Sequence, residues 1–253
     1  MSNSLDGYTA LITGGSSGLG QSHARVLAGR GAKVAITDFR QENLDRGQAE
    51  LKQEGIDVLC LKADNRIVAE VKAAVAAAEQ AFGKLDILVN NAGISGMHAH
   101  VEEIGEAFFD DMFDTHVKGA FFAVQAVVPG MKQRRFGRII NTGSVFAMTG
   151  SPAMSHYAMS KGALTALTRG WARELTPFGI TVNTVSPGLV MTPMTRGDLT
   201  PEHLQKIVSG MVLGRTLEPA EISYAVAWIA SRECDALTGQ NISPNGGQAI
   251  VGI

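Results

Sequence analysis

Short apolar runs rich in β-branched residues recur along the chain at 9–13, 33–37, 58–62, 87–90, 138–142 and 181–185. Between them lie longer stretches with apolar positions at helical spacing, at 24–29, 42–54, 70–82, 113–133 and 163–175. Runs with little polar alternation mark strands covered on both faces, so the pattern predicts a parallel sheet between two helical layers. Strand and helix alternating in this order predict a doubly wound α/β (Rossmann) fold, here one domain over 1–253 with about seven parallel strands. No linker rich in Pro, Ser or charge divides the chain. The stretch 192–218 breaks the rhythm, because Pro193, Gly197, Pro201, Gly210 and Gly214 interrupt a short helical piece. A loop of that length is expected to act as a substrate lid.

Composition narrows the function classes. The 253 residues suffice for a large core, and the 29 glycines point to many turns or close backbone approaches. Lys plus Arg number 22 against 24 Asp plus Glu, a formal charge of −2 that gives nucleic acid or an anionic membrane nothing to attract. Cys60 and Cys234 lie far apart without metal-type spacing, so they read as reduced thiols, and no metal is expected. The residues up to Tyr8 lack a basic segment followed by an apolar run, and no stretch reaches the length of a membrane span. The expectation is a cytoplasmic protein with a small-molecule partner.

Candidate chemistry begins where the first strand runs into Thr13-Gly14-Gly15-Ser16-Ser17-Gly18-Leu19-Gly20 and a helix follows. Gly14 allows the tight turn, Gly18 lets backbone approach a pyrophosphate, and Gly20 lets the helix pack on the sheet. The helix N-terminus then offers free N–H groups to phosphate. Asp38 ends the second strand, 18 residues after Gly20. A carboxylate there accepts from a ribose 2′-hydroxyl and repels a 2′-phosphate, so NAD is favoured over NADP. Arg40 is the one nearby feature that softens this preference.

Tyr157 and Lys161 stand four apart, on one face of a helix. A phenol titrates near ~10, and acid/base work at neutral pH requires lowering it at a cost of ~4 kcal/mol. One positive charge at about 4 Å supplies ~4 kcal/mol at an effective dielectric of ~20, so Lys161 is sufficient in magnitude. Ser144 follows the fifth strand, at the sheet edge where open α/β folds bind ligands.

With these residues the chain resembles the short-chain dehydrogenase/reductase family over essentially its whole length. Thr13–Gly20 matches the family's T-G-x-x-x-G-x-G, Asp64 its adenine-contacting acid, and Asn90-Asn91-Ala92-Gly93 its N-N-A-G. Ser144, Tyr157 and Lys161 match its catalytic trio, Pro187-Gly188 with Thr192 its nicotinamide turn, and Gly246-Gly247 its last glycine pair. The resemblance implies cofactor contacts from Gly14, Ser17, Gly18, Leu19, Gly20, Asp38, Asp64 and Asn65. It adds Asn91, Ala92, Gly93, Thr142, Tyr157, Lys161, Pro187, Gly188, Val190 and Thr192. It also implies that Tyr157 exchanges the proton, Ser144 holds the substrate oxygen, and Lys161 lowers the phenol and binds ribose. A homotetramer is the family's expectation.

One position departs from the pattern. His116 stands where the family usually has the Asn of a water relay to the lysine, and a relay role for its imidazole is the expectation. Expected substrate contacts are Ser95, Met97, Ser144, Phe146, Met154, Tyr157, Leu189 and Met194, a Met-rich and largely apolar set. The functional expectation is an NAD(H)-dependent oxidoreductase interconverting a secondary alcohol and a ketone on a small, partly apolar substrate. A 3-oxoacyl thioester reductase or 3-hydroxyacyl dehydrogenase is the alternative. A non-catalytic NAD-binding sensor or structural protein is more remote.

Overall fold

The computed structural model describes residues 5–95 and 98–251. Seven parallel strands form one sheet in the order β3-β2-β1-β4-β5-β6-β7: β1 (Thr9–Ile12), β2 (Lys33–Asp38), β3 (Val58–Lys62), β4 (Ile87–Asn90), β5 (Gly137–Thr142), β6 (Ile180–Val185) and β7 (Asn241–Ile242). The chain winds from β1 out to β3, then returns to place β4 on the other side of β1. The order therefore reverses between β1 and β4, and a crevice opens beyond their C-terminal ends.

Each strand alternates its side chains between two cores. Ile12, Ile36, Val89 and Ile140 face a layer of α1 (Gly18–Gly29), α2 (Gln41–Gln53) and α10 (Pro219–Ala230). Leu11, Ala35, Leu88 and Ile139 face α3 (Val68–Phe82), α5 (Gly119–Arg134) and α7 (Ser155–Leu175). Burial on both faces explains the nearly continuous apolar runs.

Helix boundaries are where the sequence pattern falls short. Helix α1 starts at Gly18 and α7 at Ser155, earlier than the apolar spacing predicts, because their opening turns bury small or polar residues such as Gly20, Ser22, His156 and Ser160 that hydrophobic periodicity does not register. The helix predicted over 113–133 is interrupted. Helix α4 (Glu106–Phe113) passes into a π-helical turn at Asp114–Lys118 before α5 begins. One widened turn of this kind re-aims side chains within a continuous helix, and here it carries His116.

The stretch 192–218 folds as two short helices, α8 (Pro193–Asp198) and α9 (Pro201–Ser209), after the four-residue α6 (Phe146–Thr149) and long α7 earlier in the chain. Its base is pinned where the Leu217 N–H donates to Leu189 C=O (2.9 Å) and the Met191 N–H to Leu217 C=O (3.1 Å). Among the described residues, no helix is long and apolar enough to cross a membrane.

A polar ladder crosses the sheet beneath the crevice. Asn90 Nδ2 donates to Asn141 Oδ1 (2.8 Å), and Asn141 Nδ2 donates to Thr168 Oγ1 (2.8 Å), which lies 2.8 Å from Thr184 Oγ1. Buried side chains of this kind must pair, so the ladder fixes α7 against β4, β5 and β6.

Candidate active site

The glycine loop and the segment after β4 are cross-linked. Asn91 and Ala92 donate their backbone N–H groups to Thr13 Oγ1 (both 3.0 Å), and Asn91 Nδ2 donates to the Thr13 and Gly14 carbonyls (3.0 and 3.1 Å). Gly14 has φ +62°, and a Cβ there would lie 2.8 Å from Ala92 Cα, so glycine is required on both counts. Ser17 makes no side-chain cap and the first turn of α1 carries no acid, which leaves its opening N–H groups facing the cavity. That is a ready anion cradle.

Asp38 sits on the cavity wall where β2 ends. Its carboxylate accepts from the Ser16 hydroxyl, from the Arg40 N–H (2.9 Å) and from Asn43 Nδ2 (3.1 Å). Beyond it, Arg66 forks onto Asp64 (2.7–3.1 Å) and reaches Asp111 on α4 (2.9 Å). The guanidinium holds the Asp64 carboxyl below its ordinary range. Asn65 Nδ2 donates to the Thr115 carbonyl (3.1 Å), tying this wall to the π-turn.

At the other end, Tyr157 stands between two rings, His116 at 5.6 Å and Phe146 at 6.4 Å, both edge-on. Burial pushes the phenol above its ordinary value, against the downward pull of a hydrogen bond with Ser144. Ser144 Oγ also accepts from the Phe146 N–H (3.2 Å). Lys161 is buried, donates to the Thr142 carbonyl (3.0 Å) and has its ammonium 5.7 Å from the Tyr157 ring centre. Burial pushes that ammonium down to about 8. The expected depression of the phenol by Lys161 is thus not what the chain supplies by itself: the amine is turned toward Thr142, and desolvation wins. Tyr157 is held as a neutral acid.

His116 also differs from expectation. Nε2 accepts from the Ile94 N–H (2.8 Å), and Nδ1 lies 3.1 Å from Ser160 Oγ. The single Ser160 hydroxyl proton goes to the Tyr157 carbonyl (2.8 Å), so Nδ1 carries a hydrogen and donates. Nε2 is 3.1 Å from the Ile94 carbonyl as well, but the shorter contact to the N–H fixes the tautomer. Burial, and next the charge of Lys161, hold the imidazole well below its ordinary value. With both nitrogens engaged by protein, neither is left for a relay water, and the relay expectation gives way to a structural tie.

A family model described as short chain dehydrogenase matches residues 8–202. The 3-oxoacyl-[acyl-carrier-protein] reductase FabG of Staphylococcus aureus is 37% identical over 240 residues, covering 94% of this chain and 97% of that protein. The chain belongs to the short-chain dehydrogenase/reductase family. Among solved structures, levodione reductase superposes with a TM-score of 0.92 at 32% identity over 96% of this chain and 98% of that one. A dehydrogenase/reductase from Sinorhizobium meliloti gives 0.90 at 36% identity over 98% of each. This short-chain dehydrogenase/reductase is therefore an oxidoreductase acting on CH–OH groups with a nicotinamide cofactor.

The dehydrogenase/reductase gathers most of the expected residues around one cavity of about 530 Å³. Its wall includes Gly14, Ser17, Gly18, Leu19, Asp38, Asp64, Asn65, Asn91, Ala92, Gly93 and Thr142, with Ser95, His116, Tyr157, Lys161, Thr192 and Met194. The uncapped helix start, the glycine approach and the fixed Asp38 carboxylate suit a dinucleotide. Gly20 lies behind the wall, since a Cβ there would collide with the Gly14 carbonyl and Asn91 Nδ2. Pro187, Gly188, Leu189 and Val190 also stay off it, held by backbone pairing. Ser144 and Phe146 are turned to each other and to Tyr157, and Met154 precedes α7 without reaching the cavity. Met97 lies outside the described residues. Sequence reasoning missed the reach of Arg66 from Asp64 to Asp111, which is 45 residues from Arg66 and leaves no local signal.

Proposed function

We propose that this chain is an NAD(H)-dependent oxidoreductase that interconverts a secondary alcohol and a ketone on a small, partly apolar substrate. The observation that carries the NAD preference is the setting of Asp38. Three donors hold its carboxylate on the cavity wall, where it accepts from a ribose 2′-hydroxyl and repels a 2′-phosphate. Arg40 lines the same cavity with its guanidinium over the Phe39 ring at 4.6 Å, and it is the feature that softens this preference.

The opening N–H groups of α1 hold the diphosphate, and Asp64 with Asn65 borders the adenine end. When bound, the nicotinamide supplies or accepts the hydride. Tyr157, kept protonated by burial, donates its phenolic proton to the substrate oxygen in reduction and takes it back in oxidation. Ser144, whose Oγ accepts from the Phe146 N–H, orients that oxygen. Lys161, buried beside the Tyr157 ring and donating to the Thr142 carbonyl, holds ribose. The segment 192–218 acts as the lid, with Thr192 and Met194 on the cavity wall and Leu204, Ile207 and Val208 half-buried on α9.

A 3-oxoacyl thioester is the second substrate reading, favoured by the similarity to FabG. Family membership supports a homotetramer in the cytoplasm. The exposed rings of Phe109, Phe113 and Phe121, and of Tyr224 and Trp228 on α10, offer the apolar faces such an assembly covers. The test is kcat/KM with NADH and with NADPH across secondary alcohols, ketones and 3-oxoacyl thioesters. Turnover favouring NADH supports the reading, and equal or better use of NADPH contradicts it. Stoichiometric NADH binding without turnover on the whole panel would return the protein to the sensor class.

A further inference from the structure

The loop 187–190 after β6 makes none of the cavity wall, yet three parts of the chain converge on it. The Val145 N–H, next to Ser144, donates to the Pro187 carbonyl (3.2 Å). The Leu217 N–H, at the exit of 192–218, donates to the Leu189 carbonyl (2.9 Å). The third attachment comes from the end of the chain. The Gly188 N–H donates to the Pro244 carbonyl (3.3 Å), and the Leu189 N–H donates to Gln248 Oε1 (2.7 Å).

This last bond is the only one of these links made by a side chain. It is held from behind, for the Gln248 N–H donates to the Asn245 carbonyl (3.0 Å), and Asn245 Oδ1 accepts from the Gly247 N–H (2.8 Å). Asn245 Nδ2 bonds Ser243 Oγ and the Ala249 carbonyl (both 2.9 Å). The approach is close: a Cβ at Gly188 would lie 2.7 Å from the Asn245 carbonyl oxygen and 2.9 Å from Gln248 Oε1. The same turn also meets the lid exit, since the Leu213 N–H donates to the Gly246 carbonyl (2.8 Å).

We propose that Gln248 is a positioning residue for the nicotinamide half of the cofactor site. Its side-chain carbonyl fixes the Leu189 amide and so sets the loop 187–190 relative to Ser144 and the lid exit. The inference rests on the NAD(H) reading above and on the likeness of Pro187-Gly188, with Thr192 on the cavity wall, to the family's nicotinamide turn. The chemistry requires an acceptor at that point and nothing more, because a half-buried N–H left without a partner loosens the loop that carries it.

The test compares Gln248→Met, which keeps length and removes the acceptor, with Gln248→Glu, which keeps the acceptor. Hydrogen exchange of the peptide containing Leu189, NADH affinity by fluorescence, and KM for NADH are read in each. Gln248→Met is expected to exchange faster at Leu189 and to weaken NADH binding and raise its KM by about two- to tenfold, with the thermal midpoint little changed. Gln248→Glu restores all three. Wild-type exchange and NADH affinity in Gln248→Met would overturn the proposal. If that variant does not fold, the shorter Gln248→Asn takes its place, and a second failure to fold would overturn it too, by showing that the residue holds the fold rather than the loop. The exchange measurement needs no cofactor, so a wild-type protein that binds no NADH would refute the functional reading while the Leu189 tie is still scored.

Discussion

His116 Nδ1 and Ser160 Oγ lie 3.1 Å apart, and through that bond the π-turn after α4 is fastened to the helix that carries Tyr157 and Lys161. The opposite ring nitrogen fastens Ile94, just beyond Gly93, where a Cβ would meet Nε2 at 2.9 Å. The imidazole is a neutral pin between two walls of the site.

Such a pin does not titrate in the working range. Substituting His116→Asn is therefore expected to leave the acidic side of the pH–rate profile unchanged, while the loss of two buried bonds lowers the thermal midpoint. An acidic limb present in the wild type and absent from a folded His116→Asn enzyme would restore the relay role.

His23 makes acid stability measurable. It lies on α1, fully buried against α10, its Nδ1 is 2.9 Å from Ser223 Oγ, and burial pushes it down to about 3. The unfolded chain takes up the proton near 6.5 and the folded chain does not, so this contribution is complete above that value and declines as pH falls toward 3. At pH 5.5 the cost is about 1.4 kcal/mol. Thermal scans at pH 7.5 and 5.5 should show a smaller acid-induced drop for His23→Gln than for the wild type. Equal drops would place the acid sensitivity elsewhere.

Thr168 is a test of the polar ladder. Thr168→Val keeps the shape but leaves the fully buried Asn141 amide without its acceptor, at a cost of about 1–3 kcal/mol. A midpoint lowered by several degrees is expected, and an unchanged one would show that the ladder adds nothing to stability.

The sheet and most of the cavity wall were legible because they follow from local signals. Apolar runs buried on both faces announce strands such as 87–90, and glycines between strand and helix announce the stretch of cavity wall at Gly14, Ser17, Gly18 and Leu19. What the sequence did not reveal depends on contacts between distant segments. The π-turn at Asp114–Lys118 has no periodicity of its own and shows itself only when His116 meets Ile94 and Ser160. The direction of the Tyr157 shift hinges on burial and on where Lys161 points, and four-residue spacing determines neither. Gln248 reads as a polar tail residue until Leu189, 59 positions away, is seen against it.

The account stands most directly on Tyr157 as the group that moves the substrate proton. NADH affinity and steady-state turnover of Tyr157→Phe, measured with the best substrate of the wild type, decide it. The account predicts NADH binding close to the wild type and turnover lower by about 10² or more, the scale of a lost general acid. Near-normal turnover in a folded Tyr157→Phe enzyme would contradict it.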